Sequence, residues 1–289
     1  MSLNHEQPSV DKDRSIGEII SNAFNLSEPQ LQQILQHQKT NGVKFGEAAV
    51  SLGMIKREDV LWALSQQFHY PYSNQNTGQD QVSEELVVAT QPFGEYAEIF
   101  RDVRSQLLME APQGLARRAI AVVSPGAGDG KSFFASNLAV AFSQLGGRTV
   151  LVDADMRTPR QHEIFGIDGA SSGLSGVLSG RTETNVIRPV QALPNLYVMP
   201  VGTIPPNPLE LIQRPAFGMM LQELLSKFEH VIVDSAAANR GADAKLIAAT
   251  CGSALVLGRK NVTKMNDLND LVKAISKNSK VLGMLINDF

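Results

Sequence analysis

Ser124-Pro125-Gly126-Ala127-Gly128-Asp129-Gly130-Lys131-Ser132 follows an apolar run, Ile120 to Val123, and leads into a helical pattern from Phe133 to Leu145. Glycines at this spacing let successive backbone N–H groups turn inward around phosphate oxygens. The start of the helix adds its positive end, and Lys131 reaches the terminal phosphates. The hydroxyl directly after the lysine, Ser132, suits a magnesium ligand. The strict pattern wants a glycine six residues before the lysine, where Pro125 stands, so the strand, loop and helix order carries part of the reading.

Outward from this loop, short apolar runs alternate with helical patterns: Val150 to Val152, Leu196 to Met199, Val231 to Val233, Ala254 to Leu257 and Val281 to Ile286. That rhythm predicts an α/β fold with a mostly parallel sheet flanked by helices. Two of the runs end in acids, Asp153-Ala154-Asp155-Met156-Arg157 and Val233-Asp234. Ligands bind at the carboxyl ends of such strands. Lys131, Ser132, Asp153, Asp155 and Asp234 therefore make a candidate magnesium–nucleotide site. The ordinary alternative for Asp153 or Asp234 is a cap on a following helix.

The 289 residues carry 26 Lys and Arg against 29 Asp and Glu, a net charge of −3, which gives no bulk reason to bind nucleic acid. One cysteine, Cys251, excludes an intramolecular disulfide framework and a four-thiolate metal site. Met1 to Arg14 lacks the apolar stretch of a secretory signal and reads as a flexible tail of a cytoplasmic chain. Pro189 to Leu209 is uncharged, but its six prolines exclude a membrane helix.

Ser15 to Gln38 aligns without gaps on Lys44 to Gln67, an internal repeat at an offset of 29 residues. Gly17 recurs as Gly46, Glu18 as Glu47, Leu26 as Ile55, Leu31 as Val60 and Leu35 as Leu64. Ser27-Glu28-Pro29 is a helix start, so each copy is expected to form a short helix, a turn and a longer helix. Trp62 is expected in the core, and His37 and His69 lack the partners of a zinc site. A polar run from Ser73 to Gln81 marks a linker. The expected organisation is thus a tail (1–14), a small, mainly α N-terminal domain (15–72), a linker (73–92) and a P-loop domain (93–289).

From Phe93 to Phe289 the chain resembles the bacterial tyrosine kinases that regulate polysaccharide chain length, relatives of the MinD and ParA type of P-loop ATPase. In that family the segment at Lys131 is the Walker A loop, Asp153 to Arg157 is Walker A′ and Asp234 is the Walker B acid. Pro205-Pro206-Asn207-Pro208-Leu209-Glu210-Leu211 is similar to a segment that MinD and ParA proteins lack, and Gly126 stands where those ATPases carry a hallmark lysine. The resemblance implies ATP or ADP with Mg²⁺ as cofactors. It implies nucleotide binding by Gly126, Ala127, Gly128, Asp129, Gly130, Lys131, Ser132 and Phe133, with Asn287 near the adenine. Catalysis falls to Lys131, Asp153, Asp155 and Asp234, and the metal to Ser132, Asp155 and Asp234. It further implies a ring of subunits joined through Glu98, Arg101 and Arg104, and a membrane-spanning chain-length determinant that holds the kinase at the inner membrane.

Two departures stand against that pattern. No tyrosine follows Tyr197, so acceptors would be another protein or atypical tyrosines such as Tyr70 and Tyr72. Ser235-Ala236-Ala237 replaces Thr-Pro-Pro after the Walker B acid, which is expected to loosen that loop. These features keep a second reading open, a nucleotide-binding scaffold or slow ATPase that gates polysaccharide export without phosphorylating tyrosine. The tandem repeat resembles the N-terminal domain of type II secretion ATPases. Some of these bind cyclic di-GMP through an arginine at the first position of each motif. Ser15 and Lys44 stand there here, which favours a protein-docking module, although Lys44 and Arg14 lie where a phosphate could be met.

Overall fold

The computed structural model describes residues 15–67, 82–110, 118–168, 172–181 and 184–288. The expectations placed on Met1–Arg14, His69, Tyr70, Tyr72 and Ser73–Gln81 lie outside the described residues. The chain divides into two compact units, Met1–Tyr72 and Ser73–Phe289.

The first unit contains α1 (Ile16–Ala23), α2 (Glu28–Asn41), α3 (Phe45–Ser51) and α4 (Arg57–Gln67). The sequence repeat reappears as a repeat of helix caps. Ser15 N–H donates to Glu18 Oε2 at 2.9 Å and Lys44 N–H to Glu47 Oε2 at 3.1 Å. Ser27 N–H donates to Gln30 Oε1 at 2.9 Å and Lys56 N–H to Asp59 Oδ2 at 2.8 Å. Each reaching side chain satisfies a donor that the helix start leaves without a partner. The recurring glutamates are therefore caps, and the first position of each copy is a helix N-cap.

Ile20, Ile34, Ala48, Ala49, Ile55 and Ala63 form the core of this unit. Phe24 and Trp62 pack edge to face at its border, with ring centroids 5.9 Å apart. One expectation shifts by a residue. Leu35 is 54% exposed, and it is Ile34 and its repeat partner Ala63 that are buried. Of the two recurring glycines only Gly46 is required sterically, because a Cβ there would lie 2.5 Å from Val60 Cγ1, whereas one at Gly17 would meet Phe45 at 3.7 Å.

The second unit opens with α5 (Val87–Thr90) and α6 (Glu95–Met109) and continues through β1 (Ala119–Val123), α7 (Lys131–Ser143), β2 (Thr149–Asp153), α8 (Gln161–Ile164) and α9 (Leu174–Ser179). There follow β3 (Arg188–Pro189), β4 (Leu196–Met199), α10 (Pro208–Ile212), α11 (Pro215–Lys227), β5 (His230–Asp234), α12 (Asp243–Cys251), β6 (Ser253–Arg259), α13 (Met265–Ile275) and β7 (Lys280–Asn287). The seven strands make one sheet in the order β3-β4-β2-β5-β1-β6-β7. All pairings are parallel except β3 with β4.

Period-two alternation sends β1 side chains to two different cores. Ala119, Ala121 and Val123 join one cluster with Phe217, Ile247 and Val233, while Ile120 and Val122 join the other with Leu138, Phe142 and Leu151. A sheet covered on both faces needs such near-continuous apolar strands. The two-residue edge strand β3, containing a proline, carried no periodic signal.

The expected linker 73–92 is too long by its second half. Leu86, Val88 and Ala89 are buried, and Val88 N–H donates to Asn137 Oδ1 at 3.0 Å while Asn137 Nδ2 donates to Glu85 O at 2.8 Å. The apolar residues of this stretch pack on α7, which a composition window dominated by the preceding polar run did not reveal.

Candidate active site

The phosphate loop joins β1 to α7 at the carboxyl end of the sheet. Gly128 and Gly130 take φ of +82° and +95°, the left-handed region in which a side chain is strained. Gly130 is the N-cap of α7, and a Cβ there would lie 2.2 Å from Asn287 Nδ2. Asp129 closes the loop from inside. Its Oδ2 accepts from Gly126 N–H at 2.7 Å and its Oδ1 from Thr263 Oγ1 at 2.8 Å. Asn287 Nδ2 donates to Asp129 O at 3.2 Å. Ala127 and Gly128 are exposed at the tip.

Lys131 is 6% exposed, and its Nζ donates to Ser124 Oγ at 3.2 Å and Gly126 O at 3.4 Å. The ammonium is thus already aimed across the loop. The Phe133 side chain turns instead toward Phe100, ring centroids 6.0 Å apart, so only its backbone belongs to the loop. A cleft of about 480 Å³ opens beside the loop between Pro125, Gly126, Asn239, Lys245, Thr263 and Lys264.

Register brings two acids together: Asp153 and Asp234 are direct partners at the ends of the parallel neighbours β2 and β5. Both are fully buried. Asp153 Oδ1 accepts from Asp155 N–H at 3.2 Å, and its Oδ2 from Arg160 N–H at 3.2 Å and Gln161 N–H at 3.0 Å. Asp155 accepts from Arg157 N–H, Thr158 N–H and Thr158 Oγ1 at 3.1, 2.9 and 3.0 Å. The Walker A′ acids therefore shape the turn that follows β2. Arg157 pairs with the buried Asp243 at 2.9 Å, tying this turn to the start of α12.

Burial pushes the Asp234 carboxyl up from 3.8 to about 6, with the Asp155 charge adding to the rise, against the nearby Ser132 hydroxyl, the Gln161 amide and the Lys131 ammonium, which hold it down. Asp153 lies well above the usual carboxylate range, through burial first and then the charge of Asp234. Asp234 Oδ2 accepts from Gln161 Nε2 at 2.8 Å, whereas Asp234 Oδ1 is buried with no hydrogen-bond partner. Gln161 was invisible to motif reasoning. Its position two residues beyond Pro159 carries no signal, and only the fold brings it to Asp234.

The loop after Asp234 is not loosened. Ser235 Oγ donates to Val122 O at 2.8 Å, and Ala238 and Asn239 donate backbone N–H to Ser124 O and Pro125 O, each at 2.9 Å. Buried alanines and these ties to the phosphate loop take the place of stiff prolines. On α6 the Glu98, Arg101, Arg104 spacing does not give three exposed side chains. Arg101 pairs with Glu98 and donates to Pro92 O, and Arg104 Nη1 donates to Ala141 O at 2.6 Å.

A phosphate loop after the central strand, a second acidic strand end beside it and a parallel sheet of this order define a P-loop NTPase of the MinD and ParA type. A ParA family model, described as an NUBPL iron-transfer P-loop NTPase, matches residues 116–235. The chain belongs to the bacterial tyrosine kinase family within that superfamily. It is 29% identical over 205 residues to the putative tyrosine-protein kinase CapB of Staphylococcus aureus, covering 70% of this chain and 88% of CapB. It is 29% identical over 191 residues to the tyrosine-protein kinase CpsD of Streptococcus agalactiae, covering 66% of this chain and 82% of CpsD. The crystal structure of the chimerical protein CapA2B2 superposes with a TM-score of 0.66 at 32% identity, covering 78% of this chain and 97% of that one.

Proposed function

We propose that this chain is the ATP-dependent protein-tyrosine kinase of an exopolysaccharide chain-length regulator, working with a membrane-spanning polysaccharide copolymerase. The observation that carries the reading is the pairing of Asp153 with Asp234 beside Lys131 and Ser132, in a chain whose relatives are named tyrosine-protein kinases. Among the described residues no helix is long and apolar enough to cross a membrane. Attachment to the inner membrane through the partner is part of this proposal.

The residues fit a magnesium ion. Asp234 Oδ1 is buried and makes no hydrogen bond, with the Ser132 hydroxyl near the same carboxyl, and Mg²⁺ prefers one or two carboxylates plus phosphate oxygens and water to an all-protein cage. Accordingly, among the described residues no group of three acidic, histidine or cysteine side chains stands ready to hold a metal. Ser132, Asp155 and Asp234 would hold the ion. When bound, Mg²⁺ neutralises charge on the phosphate oxygens.

The chain's own residues supply the rest. The loop N–H groups and Lys131 would hold the γ-phosphate in line. Asp153 is the proton acceptor for a tyrosine hydroxyl: burial beside Asp234 raises its proton affinity, the direction a general base requires. The inward-turned Arg101 and Arg104 leave Glu98 as the most exposed of the three residues assigned to self-association, which remains part of this proposal. The N-terminal unit is read as a docking module.

A second reading, a nucleotide-gated scaffold, draws support from one observation: both Asp153 oxygens already accept backbone N–H groups, which suits a structural role. Labelled-ATP transfer by the purified protein, with and without its membrane partner and with Lys131→Met as control, separates the two. Phosphotyrosine that disappears in the control supports the kinase. Nucleotide binding without transfer under either condition supports the scaffold.

A further inference from the structure

Gln161 is fully buried at the first position of α8 and touches three segments that motif reasoning treats separately. Its backbone N–H donates to Asp153 Oδ2 at 3.0 Å, and its Nε2 donates both to Ser132 O at 3.1 Å and to Asp234 Oδ2 at 2.8 Å. Two acceptors on the amide's one side, Ser132 O and Asp234 Oδ2, fix which end of the amide is nitrogen. The remaining atom, Oε1, is then an acceptor, and it is buried with no partner, as is Asp234 Oδ1.

Buried polar atoms left without partners are uncommon, and each calls for an explanation such as a bound water, an ion or a functional role. Here two buried acceptors that make no hydrogen bond stand on two side chains bonded to each other, with the Ser132 hydroxyl beside the Asp234 carboxyl. A hydration shell carried by a divalent cation presents donors to both.

We infer that Gln161 is a positioning residue: it fixes the Asp234 carboxylate against the phosphate loop so that Oδ1 faces the nucleotide's magnesium, and its Oε1 accepts from a water on that ion. The inference rests on the nucleotide reading above. It assigns Gln161 to metal-assisted binding and leaves direct phosphate binding to Lys131 and the loop amides.

The test is titration calorimetry of ADP on the full chain, with Mg²⁺ and with EDTA, for wild type, Gln161→Leu and Gln161→Met. Both variants keep the backbone N–H to Asp153 and approximate side-chain bulk while removing the amide. If Gln161 positions Asp234, the Mg²⁺-induced gain in ADP affinity falls at least tenfold, and ADP affinity in EDTA stays within twofold of wild type.

A merely structural role would weaken binding in both buffers alike, and that outcome overturns the inference, as does an unchanged Mg²⁺ gain. If one variant fails to fold, the other decides by the same criterion. If both do, calorimetry on Gln161→Asn applies the criterion, since the shorter amide cannot span Ser132 and Asp234 together. Wild type that takes up no ADP in either buffer removes the nucleotide reading and the inference together.

Discussion

Replacing Asp234 by asparagine should make the ligand-free protein more stable at neutral pH while removing its response to magnesium. The carboxyl is fully buried and shifted from 3.8 to about 6. Below about pH 4 it is protonated in the folded and the unfolded chain alike. Between pH 4 and 6 the unfolded chain releases the proton while the folded chain still holds it, so raising the pH favours unfolding. Above pH 6 the loss is complete. At ~1.4 kcal/mol for each tenfold change, the difference between the two states amounts to about 3 kcal/mol.

The amide has the carboxylate's shape and can still accept from Gln161, so packing changes little. For a unit the size of Ser73–Phe289, ~3 kcal/mol corresponds to roughly 6–12 °C in Tm. Scanning calorimetry in EDTA at a series of pH values should therefore find Asp234→Asn melting above wild type at pH 8. The gap should close as the pH falls toward 4, and Mg²⁺·ADP should stabilise wild type more than the variant. A variant that melts below wild type at pH 8, or a gap independent of pH, refutes the assignment of a strained, metal-awaiting carboxylate.

Gly130→Ala forces a side chain into left-handed backbone and against Asn287, so it should lose roughly 1–3 kcal/mol and weaken ADP binding at least tenfold by calorimetry. Arg157→Ala leaves Asp243, only 1% exposed, without its countercharge, and urea denaturation should register a loss of roughly 3 kcal/mol. Adding Asp243→Asn to that variant should recover part of it. In the N-terminal unit, Gly46→Ala overpacks Val60 and should cost about 1–3 kcal/mol, whereas Gly17→Ala, whose nearest neighbour would be Phe45 at 3.7 Å, should melt like wild type by circular dichroism.

The sequence by itself determined the elements that local chemistry controls. The glycine pattern ending at Lys131 and Ser132, the apolar runs of six strands and the acids closing two of them announce a phosphate loop at the edge of a parallel sheet, because hydrophobic period and turn chemistry act within a few residues. The 29-residue repeat likewise announced paired short and long helices.

Only the tertiary structure decided what strand register and long-range packing control. It set Asp153 opposite Asp234, brought Gln161 to both of them, packed the apolar residues of Val82–Ala89 into the core of the second unit and turned Arg104 inward to the carbonyl of Ala141. Apart from that of Gln161 with Asp153, these contacts join residues tens of positions apart, and a proton affinity such as that of Asp234 depends on everything packed around it. A one-dimensional pattern holds no distance of that kind, so the loop and the acids could be named from the sequence, whereas Gln161 and the electrostatics of Asp234 could not.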